Sequence, residues 1–264
     1  MFAKAAFISA FIALAATSAK AENYEIGEAV DQSAVSKVDR PVDILGVPPG
    51  MPMEAANAIL EKEFGGADHV MGYDLQIGPP TGQLQSQRFR SFLEAENGLR
   101  TDLGQIHLTS PISGNRVYAF YRRTEFRVQD GLPKIAAVRA KLIEKYGEPS
   151  RSQGNAMAWY LGGSAKCDHS KLCNDLHNGG GGADELGYYN LALTEVYEKA
   201  AATGTKIVIV ANLSPRRDIP DGLQTLEVSF VDLNLLAKSA RADTDLAASK
   251  QAEFDRTGAA VPKL

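Results

Sequence analysis

Residues 116–128 read RVYAFYRRTEFRV and residues 225–233 read TLEVSFVDL, and these two stretches decide the fold class. Aromatic and β-branched residues dominate the first stretch, which is typical of a strand. The second alternates cleanly and places Leu226, Val228 and Phe230 on one face. Each stretch follows another extended segment, residues 105–110 or 206–213, across a turn that contains proline. We therefore predict two antiparallel hairpins.

A helical pattern precedes each hairpin. Both patterns begin near a proline and end at glycine, as expected of helix termini. Apolar residues recur on one face of each at three- and four-residue spacing: Met53, Ala56, Ile59, Leu60 and Phe64 in the first, and Ile135, Val138, Leu142, Ile143 and Tyr146 in the second. This recurrence predicts an internal repeat and an α+β fold of two sheet-plus-helix units, with an antiparallel sheet covered by helices on one face.

The remaining segments follow from composition. Residues 22–42 are polar and predict a flexible leader before a first unit at 43–130. The second unit, 131–233, contains a Cys- and Gly-rich insert at 162–187. Residues 234–264 predict a C-terminal helix and tail, and the Ala-rich, charged sequence of that helix indicates that it is solvated.

The N-terminal residues 1–21 have the features of a signal peptide. Lys4 precedes an apolar stretch too short to span a bilayer, and Ala19-Lys20-Ala21 fits a cleavage site. We expect cleavage after Ala21, a periplasmic or secreted mature protein, and no stable membrane insertion afterwards. Loss of Lys4 and Lys20 would change the formal charge from −4 to −6. An acidic chain of this kind argues against a nucleic-acid partner.

Two short motifs resemble those of bacterial envelope proteins. Gly46-Val47-Pro48-Pro49-Gly50-Met51 before a helix resembles the opening of SmpA/BamE-type outer-membrane assembly lipoproteins. Tyr146-Gly147-Glu148-Pro149 resembles the motif that closes the helical part of similar small envelope proteins. Two such units in tandem resemble the fold of β-lactamase-inhibitor proteins, which implies a helix-covered sheet in a secreted envelope protein of a Gram-negative bacterium. The chain lacks the lipobox cysteine of the lipoproteins, so an assembly role is not implied.

The insert contains both cysteines and two of the four histidines. Cys167 and Cys173 lie in one loop of a chain expected in an oxidising compartment, which favours a disulfide bond between them. Together with His169 and His177 they also form a zinc-type donor set, although the spacing matches no zinc-finger arm. Free thiols are the third alternative.

Aromatic and arginine residues of the hairpins predict an interaction face. In one register Tyr118, Phe120 and Arg122 lie on the exposed face of the first strand, and Glu227 and Ser229 on that of the second. A shift of one residue would bury Tyr118 and Phe120 and expose Tyr121. Four arginines at comparable positions of the two hairpins complete the predicted face, where they would bind acidic groups: Arg122, Arg123, Arg216 and Arg217.

The sequence contains neither a G-x-S-x-G elbow nor a phosphate-binding loop, and its histidines fall in no catalytic signature. We therefore expect a non-catalytic binding or interaction module that needs no cofactor. Its partner would be an envelope protein or a cell-wall component. Two alternatives stay open: an envelope enzyme, such as a hydrolase, that acts through the insert 162–187, and a metal-handling protein that uses the Cys/His cluster.

Overall fold

The computed structural model describes residues 34–64, 69–71, 92–97, 102–110, 113–128, 131–163 and 194–257. The strands described are β1 (His69–Met71), β2 (Phe92–Asn97), β3 (Asp102–Leu108), β4 (Val117–Glu125), β5 (Arg151–Gln153), β6 (Ala156–Leu161), β7 (Ile207–Arg216) and β8 (Ile219–Asp232). The helices are α1 (Met53–Phe64), α2 (Ile135–Tyr146), α3 (Thr194–Ala202) and α4 (Leu233–Thr257). The chain therefore has the predicted α+β composition.

All eight strands belong to one antiparallel sheet with the order β1-β2-β3-β4-β8-β7-β6-β5. The predicted hairpins are β3–β4 and β7–β8, and both are confirmed. Their second strands pair with each other, so that Phe120 lies opposite Phe230. The two halves of the sheet thus meet along β4 and β8, which are the central strands.

Helices α1 and α2 cover one face of this sheet. Their buried residues are Ala56 and Leu60 in α1, and Leu142 and Tyr146 in α2. These residues share an apolar cluster with strand residues of both halves: Ile106, Phe120, Trp159, Ile209, Val228 and Phe230. The periodic faces predicted for both helices are therefore confirmed, as is the apolar face of β8.

Helices α3 and α4 pack on the opposite face, which makes the prediction of helices on one face too narrow. Tyr197 and Ala200 of α3 lie in a second cluster with Tyr160, Val208 and Val231. The first turns of α4 join this cluster through Leu233, Leu235, Leu236, Ala237 and Ala240. The prediction of a solvated C-terminal helix is thus wrong for its N-terminal half, because the apolar residues gather there and the charged residues follow later.

Residues 34–47 form a segment that we call the N-terminal strap. Ala34 packs in the cluster of α3 and α4, whereas Val42, Ile44 and Val47 pack in the cluster of α1 and α2. The strap therefore passes from one face of the sheet to the other. The last nine residues of the predicted flexible leader belong to it, so they are a packed part of the fold.

The strap is tied to the domain at both ends. The backbone N–H and the hydroxyl of Ser36 donate to the carboxylate of Asp232, at 2.8 and 2.7 Å. The hydroxyl of Tyr146 donates to the carbonyl of Asp43 at 2.8 Å, and Lys145 pairs with the Asp43 carboxylate at 2.9 Å. These bonds fix the strap against the start of α4 and the end of α2.

Candidate functional site

A β-bulge in β4 changes the predicted interaction face. Leu108 pairs with Val117 and His107 pairs with Ala119, which leaves Tyr118 as the extra residue of β4. Tyr118 and Ala119 consequently pack against the cluster of α3 and α4, and Phe120 packs against α1 and α2.

Tyr118 and Phe120 are fully buried, so neither belongs to a surface. The prediction that they form an exposed face is wrong for two physical reasons. The bulge breaks the simple alternation, and helices cover both faces of the sheet at this point. The alternative register, shifted by one residue, correctly predicted that both residues are buried. It was wrong for Tyr121, which it placed at the surface and which is also largely buried.

Arg122 lies on the α1 side of the sheet and is held by Asp102. Its Nε and Nη2 atoms donate to the two carboxylate oxygens of Asp102 at 3.0 and 2.7 Å. The hydroxyl of Thr124 donates to the same carboxylate at 2.9 Å. The side chains of Arg122 and Asp102 are only 26% and 14% exposed. Arg122 therefore joins β3 to β4, and its guanidinium is already engaged by a bidentate partner.

A double-mutant cycle tests this structural role. We expect Arg122→Ala and Asp102→Ala each to lower the free energy of unfolding, with a coupling of about 1 kcal/mol because the pair is bidentate and half-buried. Urea unfolding of the two single variants and the double variant measures the coupling. A coupling near zero would show that the pair contributes nothing to joining the strands.

The face of the sheet opposite Arg122 carries a group of polar side chains that we call the polar strip: Tyr121, Arg123 and Glu125 of β4, Asn212 of β7 and Glu227 of β8. Arg123 lies opposite Glu227, which in turn lies opposite Asn212, so the strip crosses β4, β8 and β7. The Tyr121 hydroxyl donates to Glu227 Oε1 at 2.8 Å, and Arg123 pairs with Glu125. The side chains of Arg123 and Glu125 remain 42% and 33% exposed.

Two buried atoms in and beside this strip have no hydrogen-bond partner among the residues that the structure describes. They are Oε1 of Gln105, which lies opposite Tyr121, and Nε of Arg123. An unmade hydrogen bond at a buried atom costs about 1–3 kcal/mol. The partly exposed side chains of Arg123 and Glu125, in contrast, are accessible, so the strip offers both signs of charge to a polar partner.

An open cleft of about 300 Å³ lies at the end of β4, next to the strip. We call it the arginine cleft, and its lining residues are Glu125, Phe126, Arg127, Val128, Arg216 and Gln224. The backbone N–H of Phe126 donates to the carbonyl of Gln224 at 2.7 Å, which ties the two walls together. Arg216 pairs with Asp218 at 2.6 Å, and its hydrogen bond holds the pKa of that carboxyl below its usual value.

The structure brings together two of the four predicted arginines. Arg123 pairs with Glu125, and Glu125 lines the cleft together with Arg216. Arg122 lies on the other face, and Arg217 is exposed in the turn between β7 and β8. Glu227 lies in the strip, whereas Ser229, expected beside it at the surface, is buried.

Sequence reasoning missed Arg127, Gln105 and the role of Tyr121. The alternation of Tyr121, Arg123 and Glu125 was a usable signal for the strip. Arg127 continues that alternation within the predicted strand 116–128, but β4 ends at Glu125, so only the tertiary structure places it in the cleft.

Several predicted features lie outside the described residues. These are the signal peptide 1–21, residues 164–187 of the insert with Cys167, His169, Cys173 and His177, and the tail after residue 257. Within the described ranges, no group of three or more His, Cys, Asp and Glu residues is placed to hold a metal ion. Among the helices that the structure describes, none has the length and apolar character needed to cross a membrane.

The fold and the site together define an α+β protein with an eight-stranded antiparallel sheet and a polar, arginine-bearing surface on its central strands. Comparison with protein-family models finds no matching family, and neither the curated proteins nor the solved structures contain a match.

Proposed function

We propose that this chain is an exported, non-catalytic binding module and that the polar strip is its working surface. The observation that carries the proposal is the placement of charged, partly exposed side chains on the central strands β4 and β8. Central strands are usually the most apolar part of a sheet. The first half of β4 and the second half of β8, which pair with each other, follow that rule. At the end of β4 and on the part of β8 that pairs with it, the outward side chains are instead the charged Arg123, Glu125 and Glu227. Charged side chains at these positions suit recognition of a partner.

The ion pair of the strip adds little to the stability of the fold. Arg123 and Glu125 form an ion pair that is more than a third exposed on the arginine side, and such pairs are worth about 0–1 kcal/mol. The buried Nε of Arg123 and Oε1 of Gln105 have no hydrogen bond to offset their burial. The exposed parts of the Arg123 and Glu125 side chains are accessible to a charged partner, which supports a binding role.

The proposed location follows from the signal-like residues 1–21. A protein exported in this way would meet envelope proteins and cell-wall components. The resemblance to tandem SmpA/BamE-type units supports the same setting, and the symmetric strand order about β4 and β8 is what two joined repeats would form.

Site-specific photo-crosslinking tests the proposal. A photoreactive phenylalanine analogue placed at Arg123 or Asn212 of the full chain, expressed in a Gram-negative host, is expected to give the same crosslinked species. The matched control is Arg151, an exposed residue of the edge strand β5, which is expected to give none. Melting temperatures of the three variants verify that each is folded. Identical products from Arg151, or no product from either strip position, would overturn the proposal.

A further inference from the structure

We infer that the arginine cleft binds a carboxylate group attached to a small apolar group, such as the C-terminal residue of a peptide. This inference rests on the proposed binding function and names the chemistry of the ligand. The cleft adjoins the polar strip, because Glu125 belongs to both, and it would bind the carboxylate of the same partner.

Among the described residues, the charges around the cleft leave the cation of Arg127 without an ion-pair partner. Glu125 is paired with Arg123, and Arg216 is paired with Asp218. Arg127 is exposed and forms no ion pair with any residue that the structure describes. An unpaired guanidinium binds a carboxylate through two parallel hydrogen bonds. The cleft is therefore locally positive in a chain whose formal charge is negative.

Arg216 provides a second donor group on the opposite wall. Its partner Asp218 is 65% exposed, so this ion pair is weak and its guanidinium is free to share an incoming carboxylate. The carboxylate of Glu125 on the rim disfavours ligands with more than one negative charge. A monoanion consequently suits the cleft better than a phosphate group.

The size and the apolar part of the lining define the rest of the ligand. A volume of about 300 Å³ is at the lower end for small-molecule sites, so it holds an amino-acid-sized group. Val128 is 47% exposed, and it lines the cleft together with Phe126. Covering Val128 with an aliphatic side chain would be favourable. Gln224 supplies an exposed amide for the peptide group next to the carboxylate.

NMR titration with two matched probes tests this inference. N-acetyl-L-leucine has a free carboxylate, and N-acetyl-L-leucinamide differs from it only at that group. We expect the acid to shift the side-chain Nε–H signals of Arg127 and Arg216, and the amide to leave them unchanged. Arg127→Gln is expected to weaken binding of the acid about tenfold, as for the loss of one charged contact of ordinary strength. Arg151→Gln is the matched control and should bind like the unmodified protein.

Three outcomes would overturn the inference: equal shifts with the amide, unchanged affinity in Arg127→Gln, or equal binding of inorganic phosphate, which would indicate an unspecific anion site. Arg127 is exposed, so its replacement is expected to leave the melting temperature unchanged. Crosslinks from Arg123 together with no binding of acetyl-leucine would reject this inference and leave the proposed binding function standing. The reverse result would reject the strip as the working surface.

Discussion

Replacement of Trp159 by alanine is expected to lower the free energy of unfolding by about 3–5 kcal/mol, the range for a large aromatic residue in a packed core. Trp159 lies on β6 and is fully buried. Its ring packs edge-on against Tyr146, with 5.5 Å between the ring centroids. Its Nε1–H donates to the carbonyl of Gly147 at 2.8 Å, and so it fixes the C-terminus of α2 to the sheet.

The effect of this change extends to the strap, because Tyr146 also donates to the carbonyl of Asp43. Trp159→Phe is the matched control. It keeps most of the ring packing and loses the hydrogen bond to Gly147, so we expect a loss of about 1–2 kcal/mol. Denaturant unfolding of both variants gives the two values. A loss below 1 kcal/mol in Trp159→Ala would contradict the packing described for β6 and α2.

Replacement of Asp232 by alanine is expected to lower the free energy of unfolding by about 2–3 kcal/mol at neutral pH. Asp232 is fully buried at the end of β8. Its carboxylate accepts hydrogen bonds from the backbone N–H of Leu235, in the first turn of α4, at 2.9 Å, and from both donors of Ser36. Alanine would leave the two backbone N–H groups without this acceptor. The loss of a buried charge offsets part of that cost.

Comparison of Asp232→Ala with Ser36→Ala separates two roles of Asp232, which caps α4 and anchors the strap. Ser36→Ala removes only the hydroxyl contact to Asp232, so we expect a loss of about 1 kcal/mol. Limited proteolysis should cut within residues 34–47 faster in Asp232→Ala than in Ser36→Ala. Equal cutting rates in the native protein and Asp232→Ala would show that Asp232 does not hold the strap.

Asp232 also predicts a pH dependence of stability. Its burial raises the pKa of its carboxyl above the usual value, and the hydrogen bonds from Leu235 and Ser36 offset this only in part. A carboxyl with a raised pKa in the folded state takes up a proton on folding. Its stabilising contribution is therefore complete below about pH 4, near the pKa of an unfolded aspartate, and is lost as the pH rises through the folded pKa.

We therefore expect the stability of the native protein, relative to Asp232→Ala, to increase as the pH is lowered from 7 toward 4. Urea unfolding of both proteins across this range measures the difference, and the subtraction removes the contribution of the other carboxyl groups. A difference that falls with decreasing pH would mean that hydrogen bonding, and not burial, controls this carboxyl.

Most secondary structure followed from local patterns. The spacing of apolar residues in α1 and α2, and the alternation of Leu226, Val228 and Phe230 in β8, led to the elements that the structure contains. These patterns are reliable because a helix or strand with one buried face repeats at the period of its own geometry.

The predicted site was less accurate, and β4 shows why. The bulge inserts Tyr118 as an extra residue, so the alternation of the two faces along β4 shifts by one residue at this point. The position of the bulge depends on how β3 pairs with β4. The burial of Tyr118 further depends on the covered face that α3 and α4 provide. Neither the pairing register nor the second helical layer leaves a mark in the sequence of β4 itself.

The sequence by itself determined the α+β class, the two hairpins and the periodic faces of α1 and α2, because each depends on neighbours within a few residues. Only the tertiary structure decided that β4 pairs with β8, that helices cover both faces, and that Arg127 and Arg216 line one cleft while Arg122 lies on the other face of the sheet. These features join residues far apart in the chain, such as Ser36 and Asp232. Their positions are set by packing between elements, which local periodicity does not encode.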